Sequence, residues 1–68
     1  MSTTDLTARE VECLQWCAKG KNSAEVGKIL GITERTVNWH IDNAIRKTNC
    51  VNRVQAVAKA VSLGIITV

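Results

Sequence analysis

Three cysteines, Cys13, Cys17 and Cys50, and a single histidine, His40, carry the most reactive side chains of this 68-residue sequence. Three thiolates and one imidazole are a donor set that suits zinc. Their spacing does not. Cys13 and Cys17 fall one turn apart within a single amphipathic stretch, whereas zinc knuckles place a turn between paired cysteines. A Cys–His nucleophile lacks a third, orienting group and a pocket. An odd number of cysteines closes no disulfide framework, and a reducing compartment keeps them as thiols. The cysteines therefore read as small core hydrophobes, with no metal and no cofactor. His40 reads as a packing residue or a phosphate donor.

A second set has a different chemistry. Arg35, Asn38, Trp39 and Asp42 share the polar side of one helical wheel with Asn43 and Arg46, and Thr36 lies at its edge. Guanidinium, amide and indole groups at that spacing suit the base edges and sugars of a DNA major groove. The early turns of such a helix meet the bases, which assigns base contacts to Arg35, Asn38, Trp39 and Asp42. An indole on a polar face is costly unless something covers it. Asp42 repels phosphate and makes sense only by accepting from cytosine N4 or by orienting an arginine. Helix N-termini suit phosphates, which points to Thr33 and Thr36 on this helix and to Lys21 and Asn22 at the start of the one before.

Four helices position these groups, each with its own punctuation. Leu6-Thr7-Ala8-Arg9-Glu10-Val11 is a capping box with a hydrophobic staple, and the helix it opens runs to about Lys19 before Gly20. On its wheel Val11, Leu14, Cys17 and Ala18 share the inner face, Cys13 borders it, and Trp16 falls outside. Asn22-Ser23-Ala24-Glu25 opens a short second helix, about residues 23–30, which Gly31 ends. Thr33 caps the third, about 34–48, with Val37, Ile41, Ala44, Ile45 and Thr48 inward. Asn52-Arg53-Val54-Gln55 reads as another capping box, for a helix to about Leu63 that stops at Gly64. Two short helices joined by three residues, with Gly31 at the turn and Ile32 plugging the corner, outline a helix-turn-helix.

Composition agrees. The chain has no Phe, Tyr or Pro, which argues against an all-β fold. Nine basic and six acidic residues give +3, and the charge is uneven: residues 1–34 carry −1 and residues 35–68 carry +4. A small basic domain with its charge in one half suits a polyanionic partner. No apolar run has the length of a bilayer span, and Met1–Asp5 lacks a secretory pattern, so the expectation is a cytoplasmic, nucleoid-associated protein with no membrane contact. Residues 1–68 are expected to form one domain, with 1–5 as a flexible segment or linker remnant.

Leu6-Thr7-Ala8-Arg9-Glu10, Gly20-Lys21-Asn22-Ser23-Ala24-Glu25-Val26 and Ile32-Thr33-Glu34-Arg35-Thr36-Val37-Asn38-Trp39-His40 resemble the LuxR-type helix-turn-helix domain. The resemblance continues through Asn43, Arg46-Lys47, Asn52-Arg53-Val54-Gln55-Ala56 and Leu63-Gly64-Ile65-Ile66 and covers residues 6–66. Val37-Asn38-Trp39-His40 and Gln15-Trp16 are most similar to the quorum-sensing branch. The resemblance implies an all-α four-helix bundle of the LuxR/FixJ effector type, in a bacterial transcription regulator and not an enzyme. It implies binding of double-stranded DNA as a homodimer on an inverted repeat, and an N-terminal acyl-homoserine-lactone domain absent from this chain. Base contacts would match Asn38, Trp39 and Asp42, and phosphate contacts Lys21, Asn22, Thr36 and Asn43. Arg46 and Lys47 are expected on phosphates as well. Departures are Asp42, Trp39, and the link Thr48-Asn49-Cys50, which bears on the packing of the last turn.

Other residues admit two readings. Glu10 points toward the apolar arc of its helix and is either a simple cap or the partner of Arg46 or Lys47. Trp16 is expected as a partly exposed ring on lysine stems, the alternative being contact with the sensor domain. The fourth helix has two apolar faces. Val54, Val57, Ala58 and Val61 are expected inward, and Ala56, Ala60 and Leu63 outward as a dimer interface. Three competing functions stay open: the effector domain of a two-component response regulator, a helix bundle docking RNA polymerase or another regulator, and a basic RNA-binding domain.

Overall fold

The computed structural model describes residues 5–68; Met1–Thr4, most of the expected linker remnant, lie outside the described residues. The described residues form four helices: α1 (Ala8–Ala18), α2 (Ser23–Leu30), α3 (Glu34–Lys47) and α4 (Arg53–Ser62). The all-α reading holds, and the boundaries fall within a residue or so of those expected.

The helix starts follow the side-chain chemistry. Thr7 accepts from the Glu10 amide, and the Glu10 carboxylate accepts from the Thr7 amide. Asn22 and Glu25 repeat the arrangement on α2. Thr33 caps α3 through the Thr36 amide at 3.1 Å. The fourth box is only half made. Asn52 accepts from the Gln55 amide at 2.8 Å, but Gln55 Oε1 accepts from Val51 N at 2.7 Å instead of from Asn52. A glutamine carbonyl has no charge to hold it on the cap, and it takes the nearer free amide.

Thr48-Asn49-Cys50 closes α3 in order. Cys50 N donates to Ile45 O and Asn49 N to Arg46 O, the paired bonds of a Schellman motif. Asn49 takes the left-handed conformation, φ 60°, that asparagine tolerates better than most residues. Thr48 is buried, its hydroxyl donating to Ala44 O at 2.8 Å. The α2–α3 turn needs glycine at two places. Gly31 adopts φ 73°. Gly27, buried within α2, lies so close to the turn that a Cβ there would stand 2.6 Å from Ile32 O. Ile32 packs against the core as the corner plug.

The core has two parts joined through α1 and α3. Cys13, Val26, Val37 and Ile41 form one, with Trp16, Cys17, Leu30 and Ile32 around it. Leu14, Ala44, Ala56, Ala60 and Ile66 form the other, ringed by Leu6, Val11, Val57, Val61 and Cys50 among others. Gln15 fastens the C-terminal segment by exchanging hydrogen bonds with Thr67 N and O.

The packing of α4 and α1 departs from the expectation. Ala56 and Ala60 are fully buried, not a dimer face. Val54 and Ala58 point to solvent, while Val57 and Val61 flank the buried alanines. Both stripes of α4 are apolar, so hydropathy does not choose between them. Steric fit does: the methyl side chains let α4 lie close against α1 and α3. Trp16 is partly buried against the cluster of Cys13, Val26, Val37 and Ile41, so the buried arc of α1 is wider than its wheel suggests. Cys13 is likewise fully buried.

Candidate nucleic-acid interface

α3 divides cleanly. Val37, Ile41 and Ala44 are fully buried, and the opposite side exposes Arg35, Trp39, Asp42 and Arg46. Trp39 is 61% exposed, a large indole in the middle of this row. Its ring meets that of His40 edge-on, centroids 5.0 Å apart and planes at 65°, which limits its rotation. His40 itself is half-buried, and its Nδ1 is buried with no hydrogen-bond partner among the described residues. Asn43 is half-buried on the flank of this face.

The N-terminus of α3 carries two hydroxyls in contact, Thr33 Oγ1 and Thr36 Oγ1 at 2.9 Å. Lys21 and Asn22 are exposed at the start of α2. The structure joins this start to the row on α3: Ser23, the first residue of α2, donates its hydroxyl to Asn38 Oδ1. The start of α2 and the row on α3 therefore adjoin.

Asn38 is not the free amide the sequence suggests. Its Oδ1 accepts from Ser23 Oγ and, at 2.9 Å, from Nη2 of Arg53. Nη1 of Arg53 donates to Ser23 Oγ at 2.9 Å. Arginine and this hydroxyl act as donors, so the amide must turn its oxygen toward them and its Nδ2 away. The sequence assigns Arg53 and Ser23 no contact with Asn38 because they come from other helices; both stand there in capping boxes and in the motifs of the resemblance. The same guanidinium lies beside Cys17. Burial raises the Cys17 thiol, and the nearby positive charge of Arg53 pulls partly the other way. An apolar cleft of about 360 Å³ opens there, lined in part by Cys17, Ala18, Val54 and Val57.

Lys47 is a correction. Its Nζ donates to both oxygens of Glu10 at 3.1 Å and to Asp5 O at 3.4 Å. The Glu10 side chain is only 3% exposed. A buried carboxylate needs a cation, and Lys47 is the one whose place on α3 faces α1. Glu10 is thus both cap and ion-pair partner, and Lys47 is withdrawn from the phosphate face. Arg46, one residue earlier, is exposed. Leu63 is half exposed, on the Ala56 side of α4 and away from Val54. The cysteines divide between the two core clusters, Cys13 and Cys17 in one and Cys50 in the other.

Residues 4–60 match the family described as bacterial regulatory proteins, luxR family. The chain belongs to the luxR family. It is a helix-turn-helix DNA-binding domain of that family, which is one of regulators and not of enzymes. The transcriptional activator AhyR of Aeromonas hydrophila is 59% identical over 61 residues, 90% of this chain and 24% of its own length. The transcriptional activator LuxR of Aliivibrio fischeri is 51% identical over 65 residues, 96% of this chain and 26% of its own. A quorum sensing-dependent regulator, RpaR of Rhodopseudomonas palustris, is 56% identical over 61 residues, 90% of this chain and 25% of its own. The solved structure of the transcription factor GerE superposes with a TM-score of 0.88 at 33% identity, covering 98% of this chain and 97% of GerE. The chain spans about a quarter of the length of these curated relatives. No helix among the described residues is long and apolar enough to cross a membrane.

Proposed function

We propose that this domain reads an inverted-repeat operator for a quorum-sensing transcription regulator in the bacterial cytoplasm, with a signal-binding domain elsewhere in the regulator. α3 enters the major groove. Arg35, Trp39, Asp42 and Nδ2 of Asn38 face the bases. Lys21, Asn22, Thr33, Thr36, Asn43 and Arg46 hold phosphates on either side. The observation that carries this reading is the row on α3: a fully buried inner stripe, and opposite it a 61%-exposed tryptophan between two exposed arginines. The luxR-family membership and the quorum-sensing relatives support the biological setting.

Two copies meet on the operator through the outward face of α4. Val54, 78% exposed, lies one turn from Ala58, which is exposed as well. One helix face buries well under the roughly 1,200 Å² of a standard interface. The free domain is therefore monomeric in dilute solution and pairs where adjacent half-sites hold two copies together.

Selection of bound duplexes from a random pool tests the reading. The domain should enrich one palindromic sequence, and binding should weaken steeply with salt through counterion release. Trp39→Ala should lose on the order of 1–3 kcal/mol on the selected site and much less on random DNA, with an unchanged melting midpoint. Salt-insensitive binding to protein alone would favour a docking bundle. Equal competition by RNA would favour a non-specific basic domain.

A further inference from the structure

We infer that Arg53 is a specificity-determining positioning residue: with Ser23 it fixes the Asn38 amide as a hydrogen-bond donor toward DNA and withholds its acceptor. The inference rests on the proposal that α3 reads bases. An asparagine free on a recognition helix reads adenine with both ends of its amide, accepting from N6 and donating to N7. That pairing needs an open lone pair on Oδ1. Here both lone pairs are used, one by Ser23 Oγ and one by Nη2 of Arg53 at 2.9 Å. Ser23 is 7% exposed, so its hydroxyl is not readily exchanged for water. Arg53 spans both partners at once, its Nη1 on Ser23 Oγ at 2.9 Å. Rotating the amide would place NH₂ against a guanidinium and leave two donors facing each other. Only Nδ2 remains to meet a base.

A donor alone suits base edges that carry acceptors and no competing amine: guanine O6 and N7, and thymine O4. Adenine offers it N7 only, and cytosine N4 repels it. Arg53 belongs to α4 and Ser23 to α2, so the letter read by α3 is set by two residues on other helices. Loss of either donor opens a lone pair on Oδ1, and the bidentate pairing with adenine becomes possible.

The experiment is selection from a randomised duplex pool with the domain and with its Asn38→Ala, Arg53→Leu and Ser23→Ala variants, alongside their thermal melts. Asn38→Ala locates the position that Asn38 reads, as the one whose preference it erases. At that position the unaltered domain should favour guanine or thymine. Arg53→Leu should raise the share of adenine there about fivefold or more, in line with the discrimination of one good bidentate contact, and leave other positions unchanged. Ser23→Ala should act in the same direction and serves as the readout if Arg53→Leu does not fold. An unchanged base profile in Ser23→Ala and in a folded Arg53→Leu, whatever the loss in melting midpoint, would reduce Arg53 to a structural clamp and overturn the inference. Asn38→Ala that erases no position overturns it too. A domain that enriches no sequence at all fails at the earlier step, the DNA reading itself, and removes this inference with it.

Discussion

α3 and α4 each bury one stripe and expose the other, but they sort their residues in opposite ways. α3 keeps Val37, Ile41 and Ala44 inside and shows solvent Arg35, Asp42 and Arg46 around a single indole. α4 buries two alanines, Ala56 and Ala60, and exposes Val54 and a third alanine, Ala58. A polar outer face is stable in water by itself and becomes functional when a polyanion arrives. An apolar outer face gains by being covered, and a second copy of the same helix is self-complementary. Under the proposed function, the two outer faces take two kinds of partner, one through charge and hydrogen bonding and one through shape.

One charge placed on each stripe of α4 tells the two stripes apart. Ala60→Glu inserts a carboxylate into a closed apolar cluster of Leu14, Ala44, Ala56 and Ile66. The cost should exceed about 4 kcal/mol, enough to unfold a domain of this size. Circular dichroism should show the helices lost at room temperature. Val54→Glu is the control. It should keep the helices and move the melting midpoint little, yet abolish cooperative binding to a full palindrome while sparing a half-site. A folded Ala60→Glu variant would mean that the stripes had been assigned the wrong way round.

A smaller effect separates two neighbours on α3. Lys47→Met leaves the buried Glu10 carboxylate without its cation and should cost about 3 kcal/mol, read as a lowered urea midpoint. Glu10→Gln added to it should recover part of the loss. Arg46→Met should leave the urea midpoint within about 0.5 kcal/mol, since Arg46 is exposed. It should instead lower the slope of log affinity against log salt by about one unit. If the two variants behaved alike, the boundary between the inner and outer sides of α3 would not fall between residues 46 and 47.

Much of this was legible in the sequence, for reasons that differ by element. The caps of α1, α2 and α3 are local chemistry within four residues, and Thr7–Glu10, Asn22–Glu25 and Thr33 read directly. The outer face of α3 was legible because charge and hydropathy vary together around its wheel. α4 was not, because alanine and valine are both apolar and the choice between them depends on how near another backbone comes. Glu10 could be seen to need a cation, and the geometry chose Lys47 over Arg46. The clamp on Asn38 was invisible in any one segment: Ser23 and Arg53 lie 15 residues to either side of it and meet it only when α2, α3 and α4 pack.

The smallest expected effect concerns the core on the α3 side, where Cys13 packs against Val26, Val37 and Ile41. Burial raises the Cys13 thiol, the charge of a Cys17 thiolate adds to the rise, and Cys17 is itself raised mainly by burial. A group whose folded pKa lies above its unfolded value binds its proton more tightly when folded. Its contribution to stability is then complete below the unfolded value and is lost as pH rises toward the folded one. Unfolded cysteine titrates near 8.5, so stability should be level through neutral pH and begin to fall above about pH 8.5. Cys13→Ala should lower the melting midpoint at pH 7 through lost packing, yet shrink the further drop between pH 7 and 9.5. The α4 side supplies the contrast, since its fully buried members Leu14, Ala44, Ala56 and Ala60 do not titrate. A drop of the same size in the Cys13→Ala variant would move the alkaline sensitivity away from this cluster and leave the two halves of the core alike in their response to pH.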